Sequence, residues 1–340
     1  MVLSVVKIRL PNLSVCNPRL LKTTGYFFKM KSSVAKQLLV IGQSPNFPTS
    51  RTYHEQIHGA VLPLRGCNTD HNGPYSTSKN KHDGQRKLLM SEIHFLTEVY
   101  QSIDPHTMFI CVYAGACPCT HLAELSQFFP YIYFVLIDPR FSEKDAIFLE
   151  ARSPGKVAVC SHYFTDKTAE DIKGWMSGKN ENNWVSRALK PCTQIPRKNI
   201  LFISDIRSAA YDEAKIAQEM QAQVQWFKSI HAVKGLLKFR LPFITSNKQS
   251  KQLVTSLNGD VCLPVWGPPS TTECRLLVRQ GCIESKYDPV KHEKLMAGFN
   301  ANNRQQQFLY RNVLHESFDH FAERVILEAY HHTYLSRCRT

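Results

Sequence analysis

No stretch of this 340-residue chain approaches the roughly eighteen consecutive apolar residues of a membrane-spanning helix. The longest apolar runs, such as Ile132-Tyr133-Phe134-Val135-Leu136-Ile137, have the length of strands. The Cys-x-x-Cys spacing is absent although there are 11 cysteines, and Cys111 and Cys160 lie within apolar runs. That points to reduced, intracellular thiols rather than a disulfide framework. Cys117-Pro118-Cys119-Thr120-His121 superficially suggests a metal site. Two cysteines one residue apart rarely chelate one zinc, and no second ligand pair follows, so no metal is expected. The dinucleotide fingerprint G-x-G-x-x-G is missing as well; only its first glycine has a counterpart, Gly115. A pyrophosphate needs those glycines for close backbone approach. Acid is absent from the first 54 residues, which hold eight Lys or Arg. That composition suits a transit peptide or a nucleic-acid-tracking arm, and Pro11 and Pro18 interrupt any long amphipathic helix.

What is present is positive charge. There are 42 basic against 28 acidic residues, a formal +14. Summed potential of that sign attracts phosphate backbones. An apolar content of 43% is ordinary for a soluble globular chain, and the length allows one large core or two modest ones.

Residues 1–83 read as a basic arm and linker, with Asn68–Asp83 rich in Asn, Ser, Gly, Lys and His. Leu88, Leu89, Ile93, Leu96 and Val99 recur at helical spacing and predict a helix over Gly84–Ser102. Strands and helices then alternate. Strands are expected at Met108–Ala114, Ile132–Asp138, Lys156–His162 and Asn199–Ser204. Helices are expected at Thr120–Phe128 and Ala169–Met176, with a long one near Ala210–Ile230. Gly235–Arg240, Asp260–Val265 and Cys274–Arg279 complete the sheet, and Pro289–Ser336 reads as a helical tail. This alternation implies an α/β fold with a mostly parallel sheet covered on both faces. The domains are therefore 1–83, 84–285 and a helical extension, 286–340.

Ligands bind such sheets at the carboxyl ends of the strands. Gly115, in Tyr113-Ala114-Gly115-Ala116-Cys117, permits a tight turn and close ligand approach. Asp138, 23 residues later, ends the next strand, where a carboxylate meets ribose hydroxyls. S-adenosylmethionine carries no phosphate and tolerates this looser turn, so the methyl donor is favoured over NAD.

Lys87, Asp205, Lys238 and Glu273 stand in the contexts Gly84-Gln85-Arg86-Lys87-Leu88-Leu89, Leu201-Phe202-Ile203-Ser204-Asp205-Ile206-Arg207, Leu237-Lys238-Phe239-Arg240-Leu241-Pro242-Phe243 and Thr272-Glu273-Cys274-Arg275. Methyl transfer to a ribose hydroxyl needs a poor nucleophile to attack a sulfonium methyl. A lysine serves as base there when burial or a second cation lowers its pKa. Lys87 beside Lys238 supplies such a cation, and the two carboxylates orient the lysine.

With these blocks the chain resembles the poxvirus-type cap-specific mRNA 2'-O-methyltransferases, the poly(A) polymerase regulatory subunit family. The resemblance runs from about Gly84 to Glu293. It implies a Rossmann-like S-adenosylmethionine-dependent methyltransferase sheet, with methyl transfer to the first transcribed nucleotide of capped mRNA. It makes Lys238 the base-like lysine of a tetrad with Lys87, Asp205 and Glu273. It carries donor contacts onto Gln85, Tyr113, Gly115, Cys119, Asp138, Arg140, Phe164 and Asp205, with Tyr163 adjacent. It places cap or RNA contacts at Arg240, Phe243, Thr271, Thr272 and Glu293. The departures are Cys119, where the family has a second turn glycine, and Ser270 and Thr245, where it has an aromatic and an acid. Sulfur at Cys119 is expected to crowd the donor, and Trp266, Tyr53 and Tyr75 are substitutes for cap aromatics. The implied partners are capped mRNA and a poly(A) polymerase catalytic subunit, without a membrane. A viral source implies host cytoplasm or virion, while the acid-free N-terminus leaves nucleus and mitochondrion open. The rival expectation is a non-catalytic RNA-binding or processivity subunit on the same fold.

Overall fold

A computed structural model describes residues 81–335 apart from 102, 105, 180–182, 209–211, 243–252, 268–270, 301–303, 305, 306, 311 and 312. The expected arm, with Tyr53 and Tyr75, and the expected cap positions Phe243, Thr245 and Ser270 lie outside the described residues.

The first described element, α1 (Lys81–Tyr100), buries Met90, Ile93, Leu96, Val99 and Tyr100 at the three-to-four spacing of one helix face. Next come β1 (Phe109–Ala114), α2 (Leu122–Phe128), β2 (Ile132–Ile137), α3 (Glu143–Arg152), β3 (Val157–Cys160), α4 (Asp166–Met176) and α5 (Trp184–Leu189). They are followed by β4 (Ile200–Ser204), α6 (Glu213–Ser229), β5 (Lys234–Phe239), β6 (Val254–Leu257), β7 (Asp260–Cys262), β8 (Cys274–Arg279) and β9 (Glu284–Tyr287). The chain continues through α7 (Pro289–Gly298), β10 (Gln307–Tyr310), β11 (Leu314–Ser317) and α8 (Phe318–Tyr330).

Seven strands form one sheet in the order β3-β2-β1-β4-β5-β8-β7. The first five are parallel; β8 runs antiparallel between β5 and β7. β1, β2 and β4 are buried along their whole length, as strands covered on both faces must be. Helices flank the sheet: α6 packs on β5, α3 and α5 on β3, and α1 on β5 and on α8. The Rossmann-like sheet expected from the sequence is the fold observed.

The register sets up the carboxyl ends. β1 and β2 part after Ala114↔Ile137, and β1 and β4 after Ala114↔Ser204. Gly115 N–H still donates to Ile137 O at 2.9 Å, and Asp205 N–H to Ala114 O at 3.0 Å. Gly115, Asp138 and Asp205 therefore leave the sheet side by side, where the strand order reverses about β1.

Two expectations need correction. The tail beyond Pro289 is not all helix, because β10 and β11 pair antiparallel between α7 and α8. The helix α3 was not anticipated. It is nucleated by a capping box, in which Ser142 and Asp145 bond reciprocally to each other's backbone N–H, and buries only Leu149 among its ten residues. Among the described residues no helix is long and apolar enough to cross a membrane, and no cluster of His, Cys, Asp and Glu is placed to hold a metal ion.

Candidate active site

β5 and β8 place their functional residues by strand arithmetic. Lys238 pairs directly with Arg275, so the two side chains share a face of the sheet. Glu273 precedes Arg275 by two residues and emerges on that same face. Asp205 follows the neighbouring β4. Lys87 comes from the opening turns of α1. Lys238 Nζ lies 3.0 Å from Asp205 Oδ1 and 3.4 Å from Glu273 Oε2. Lys87 Nζ donates to Glu273 Oε1 at 2.9 Å. The four residues singled out in the sequence are one contiguous cluster.

A fifth member was missed. Arg275 is 2% exposed and donates to Asp205 Oδ1 at 2.7 Å and to Glu273 Oε1 at 2.9 Å. The cluster thus brings three basic side chains to two carboxylates. Burial alone would raise the Glu273 pKa, but Arg275, Lys87 and Lys238 together hold it well below the usual carboxylate range. Arg275 is raised still further above the ordinary guanidinium value: burial opposes its charge, and Asp205 and Glu273 outweigh it. Beside the cluster, α6 neutralises two more cations. Glu213 pairs with Arg240 at 2.6 Å and Glu219 with Arg207 at 3.4 Å. Gln223 of α6 donates to Lys238 O at 2.6 Å and fixes the end of β5 past its last pairing with β4.

At the cofactor end, Gly115 has φ +75°, and a Cβ there would stand 2.9 Å from Ile206 N. Only glycine fits between the two diverging strands. Asp138 is buried, accepts from Cys117 N–H at 3.2 Å and from Arg140 N–H and Nε at 2.9 Å, and pairs with the Arg140 guanidinium at 2.7 Å. Burial would raise its pKa, but these bonds and the Arg140 charge lower it overall. The Arg140 side chain itself is 66% exposed and also donates to Cys117 O at 3.1 Å. Gln85 Oε1 accepts from Thr120 N–H at 3.0 Å and faces His121 Nδ1 at 3.0 Å. Glu92, on the next turns of α1, faces His121 Nε2 at 2.6 Å and accepts from Tyr113 Oη at 2.8 Å. This buried network ties α1 to the β1 turn. Phe164 is buried against Phe202 and Trp226, with ring centroids 5.5 and 4.9 Å away, while its neighbour Tyr163 is exposed.

Cys119 has φ +46°, the left-handed conformation that glycine adopts freely. The backbone here is glycine-like although the residue is not. The side chain is fully buried in the core beneath the turn, which pushes its thiol pKa well up.

The expected RNA-contacting residues are mostly enclosed. Arg240, Thr272 and Glu293 are buried. Thr271 Oγ1 accepts from Glu273 N–H at 3.1 Å, so Thr271 positions the carboxylate directly. The connection that leads to Glu273 is pinned from the tail. Asn300 donates to Thr271 O at 2.8 Å, His292 bonds Thr272 O at 2.9 Å, and Arg304 donates to the carbonyls of Pro264 and Gly267. Trp266, with φ +62°, donates from its indole N–H to Glu323 Oε2 at 2.6 Å and carries the Arg86 guanidinium over its ring at 4.0 Å.

The donor set suits an adenosine-containing methyl donor. A carboxylate stands at the end of β2, open to ribose hydroxyls once Arg140 is displaced from it, and the Gly115 turn brings backbone close to the strand ends without phosphate-binding glycines. Lys238, Asp205, Glu273 and Lys87 gather beside it.

The sequence model of the family described as the poly(A) polymerase regulatory subunit matches residues 66–336. No curated protein matches the chain. Among solved structures, the sugar N-methyltransferase KedS8 from Streptoalloteichus sp. is similar at 12% identity, covering 63% of this chain and 79% of its own, with a TM-score of 0.24.

Proposed function

We propose that this chain, which belongs to the poly(A) polymerase regulatory subunit family, transfers a methyl group from S-adenosylmethionine to the ribose 2'-hydroxyl of the first transcribed nucleotide of capped mRNA. One observation carries the reading: Lys87, Asp205, Lys238, Glu273 and Arg275 converge at the carboxyl ends of β4, β5 and the start of β8, next to Gly115 and Asp138. The donor, when bound, supplies an electrophilic methyl group. Asp138 is the residue to hold its ribose, with Arg140 moving aside, and Gly115 gives the backbone room.

Lys238 is the group for the acceptor hydroxyl. Asp205 and Glu273 fix its Nζ from two sides, so it meets the hydroxyl without first being ordered. Lys87 and Arg275 hold Glu273 in turn. Lys238 Nζ takes the proton that the hydroxyl gives up, and Lys87 and Arg275 beside it favour negative charge developing on the attacking oxygen. Family membership supports a catalytic polymerase subunit as the protein partner.

The test is a methyl-transfer assay on three RNAs of one sequence: capped, uncapped, and capped with a 2'-deoxy first nucleotide. Label is expected in the first alone, and nuclease digestion should place it on that nucleotide. Label in the 2'-deoxy RNA would move the reaction to another position. Absence of label from all three, with RNA still bound, would favour the second reading, a processivity subunit. That reading is supported by the regulatory description of the family.

A further inference from the structure

A second concentration of charge and aromatic surface lies at the outer edge of the sheet, away from the lysine–carboxylate cluster. β3 is the last strand on that side. His162 and Tyr163 follow it at the carboxyl end; His162 is exposed and Tyr163 is 73% exposed. The helix α5 packs along β3 and starts at this same end, because Trp184 stacks on His162 with centroids 4.5 Å apart and planes 27° apart. It runs back toward the beginning of the strands, since Cys192, just beyond it, lies close enough to Tyr133 near the start of β2 to affect its phenol.

The charge on this segment is one-sided. Residues 162–198 hold seven Lys or Arg and four Asp or Glu, of which Glu181 lies outside the described residues. Two of those acids are engaged: Asp166 accepts from Trp226 Nε1 at 2.7 Å, and Asp171 pairs with Lys167 at 2.6 Å. Lys173, Lys179, Arg187, Lys190 and Lys198 are exposed, and none has a carboxylate partner among the described residues. Arg187 and Lys190 are three residues apart in continuous helical backbone and project from one face. A face that serves only solubility intersperses both signs and keeps aromatics under cover.

We propose that this edge is a track for single-stranded RNA. Bases stack on Tyr163 and extend the His162–Trp184 pair, and Arg187, Lys190 and the flanking lysines hold phosphates. Single strands are specified because exposed ring faces take splayed bases, which a duplex keeps stacked inside. The inference rests on the reading of the protein as an RNA-processing factor, and it concerns RNA beyond the modified nucleotide. β3 lies four strand spacings from β5, or roughly 19 Å from Lys238 at about 4.8 Å per strand.

The experiment is fluorescence anisotropy with an uncapped, unstructured, end-labelled RNA about 20 nucleotides long, without methyl donor, over a salt series. Tyr163→Ala is expected to weaken binding at least about fivefold, the lower end for loss of one stacked base. Tyr163→Trp should retain it. Arg187→Ala/Lys190→Ala should weaken binding and make the log–log salt slope shallower by about 1.4, at ~0.7 per lost single-strand phosphate contact. Arg187→Ala/Lys190→Ala should leave unchanged methyl transfer to a capped oligonucleotide of a few nucleotides, which cannot reach this edge. Wild-type affinity in both variants overturns the proposal. So does equal competition by a duplex of the same length or by polyglutamate, since charge alone would then explain binding. If the variants lose RNA while the wild type methylates none of the test RNAs, the track stands and the proposed activity falls.

Discussion

Asp205 and Glu273 stand 68 positions apart in the chain, one just after β4 and the other just before β8, yet one guanidinium joins them. Arg275 donates to both from beneath, where water does not reach. Its planar fork can bridge two carboxylates at once; an ammonium offers only a point charge. Arg275→Met leaves buried carboxylates short of a cation, and breaking a buried pair from one side costs about 3–5 kcal/mol. Urea unfolding should show a loss of that order, with methyl transfer abolished. Arg275→Lys should recover part of the stability and little of the activity. Lys238→Ala should differ in kind, losing activity with a much smaller change in the unfolding midpoint and with RNA affinity retained. If Arg275→Met unfolds at the wild-type urea concentration, the guanidinium is not what holds the two carboxylates.

The elements that carry the cluster are locked by the tail. Glu323 of α8 receives Arg86 at 2.6 Å and the Trp266 indole N–H at 2.6 Å. Arg86 adjoins Lys87 on α1, and Trp266 lies on the connection to Glu273. Asp319, one turn earlier on α8, accepts from Trp266 N–H at 2.9 Å. One helix therefore sets the distance between two members of the cluster. Glu323→Ala should destabilise by about 1.5–3 kcal/mol, the range for a hydrogen bond to a charged group. It should also slow methyl transfer while leaving RNA affinity unchanged. Thermal melts together with single-turnover rates check this, and a stable variant with full rate would remove α8 from any positioning role. This clamp was not legible in the sequence. Six-residue apolar runs announced β1 and β2, and shorter ones announced β4 and β5, because strands buried on both faces are mostly apolar. Lys238, Asp205 and Glu273 were legible because each stands beside such a run. Arg275 was not, because an Arg in a strand sequence says nothing of its partners until the β5–β8 register sets it opposite Lys238. β10 and β11 escaped because their pairing is a tertiary event between two helical stretches. Trp266 was noticed as a spare aromatic, but its partners lie 180 residues before it and 57 after.

Across the whole molecule, stability should depend on pH in two opposite ways. Glu273 and Asp138 have lowered pKa values in the folded state. Their contribution is present above the unfolded carboxylate pKa, near 4, and is lost only as pH falls through the folded values. Glu328 in α8 is the reverse case, because burial pushes its carboxyl up to about 7. Between the unfolded value and about 7 the native state binds more protons at this site than the unfolded chain, so stability falls as pH rises. Glu328 thus favours the fold fully below the unfolded pKa, and that contribution is gone once pH has passed its folded value. Glu328→Gln keeps the shape and removes the proton. Relative to wild type, its melting temperature should gain steadily between pH 5 and pH 8, and the difference should level off above that. Every other titratable group is common to both proteins and cancels in the comparison. Melting curves for the pair at half-unit pH steps provide the measurement. A constant offset across the window would mean that Glu328 ionises in the fold much as it does in the unfolded chain.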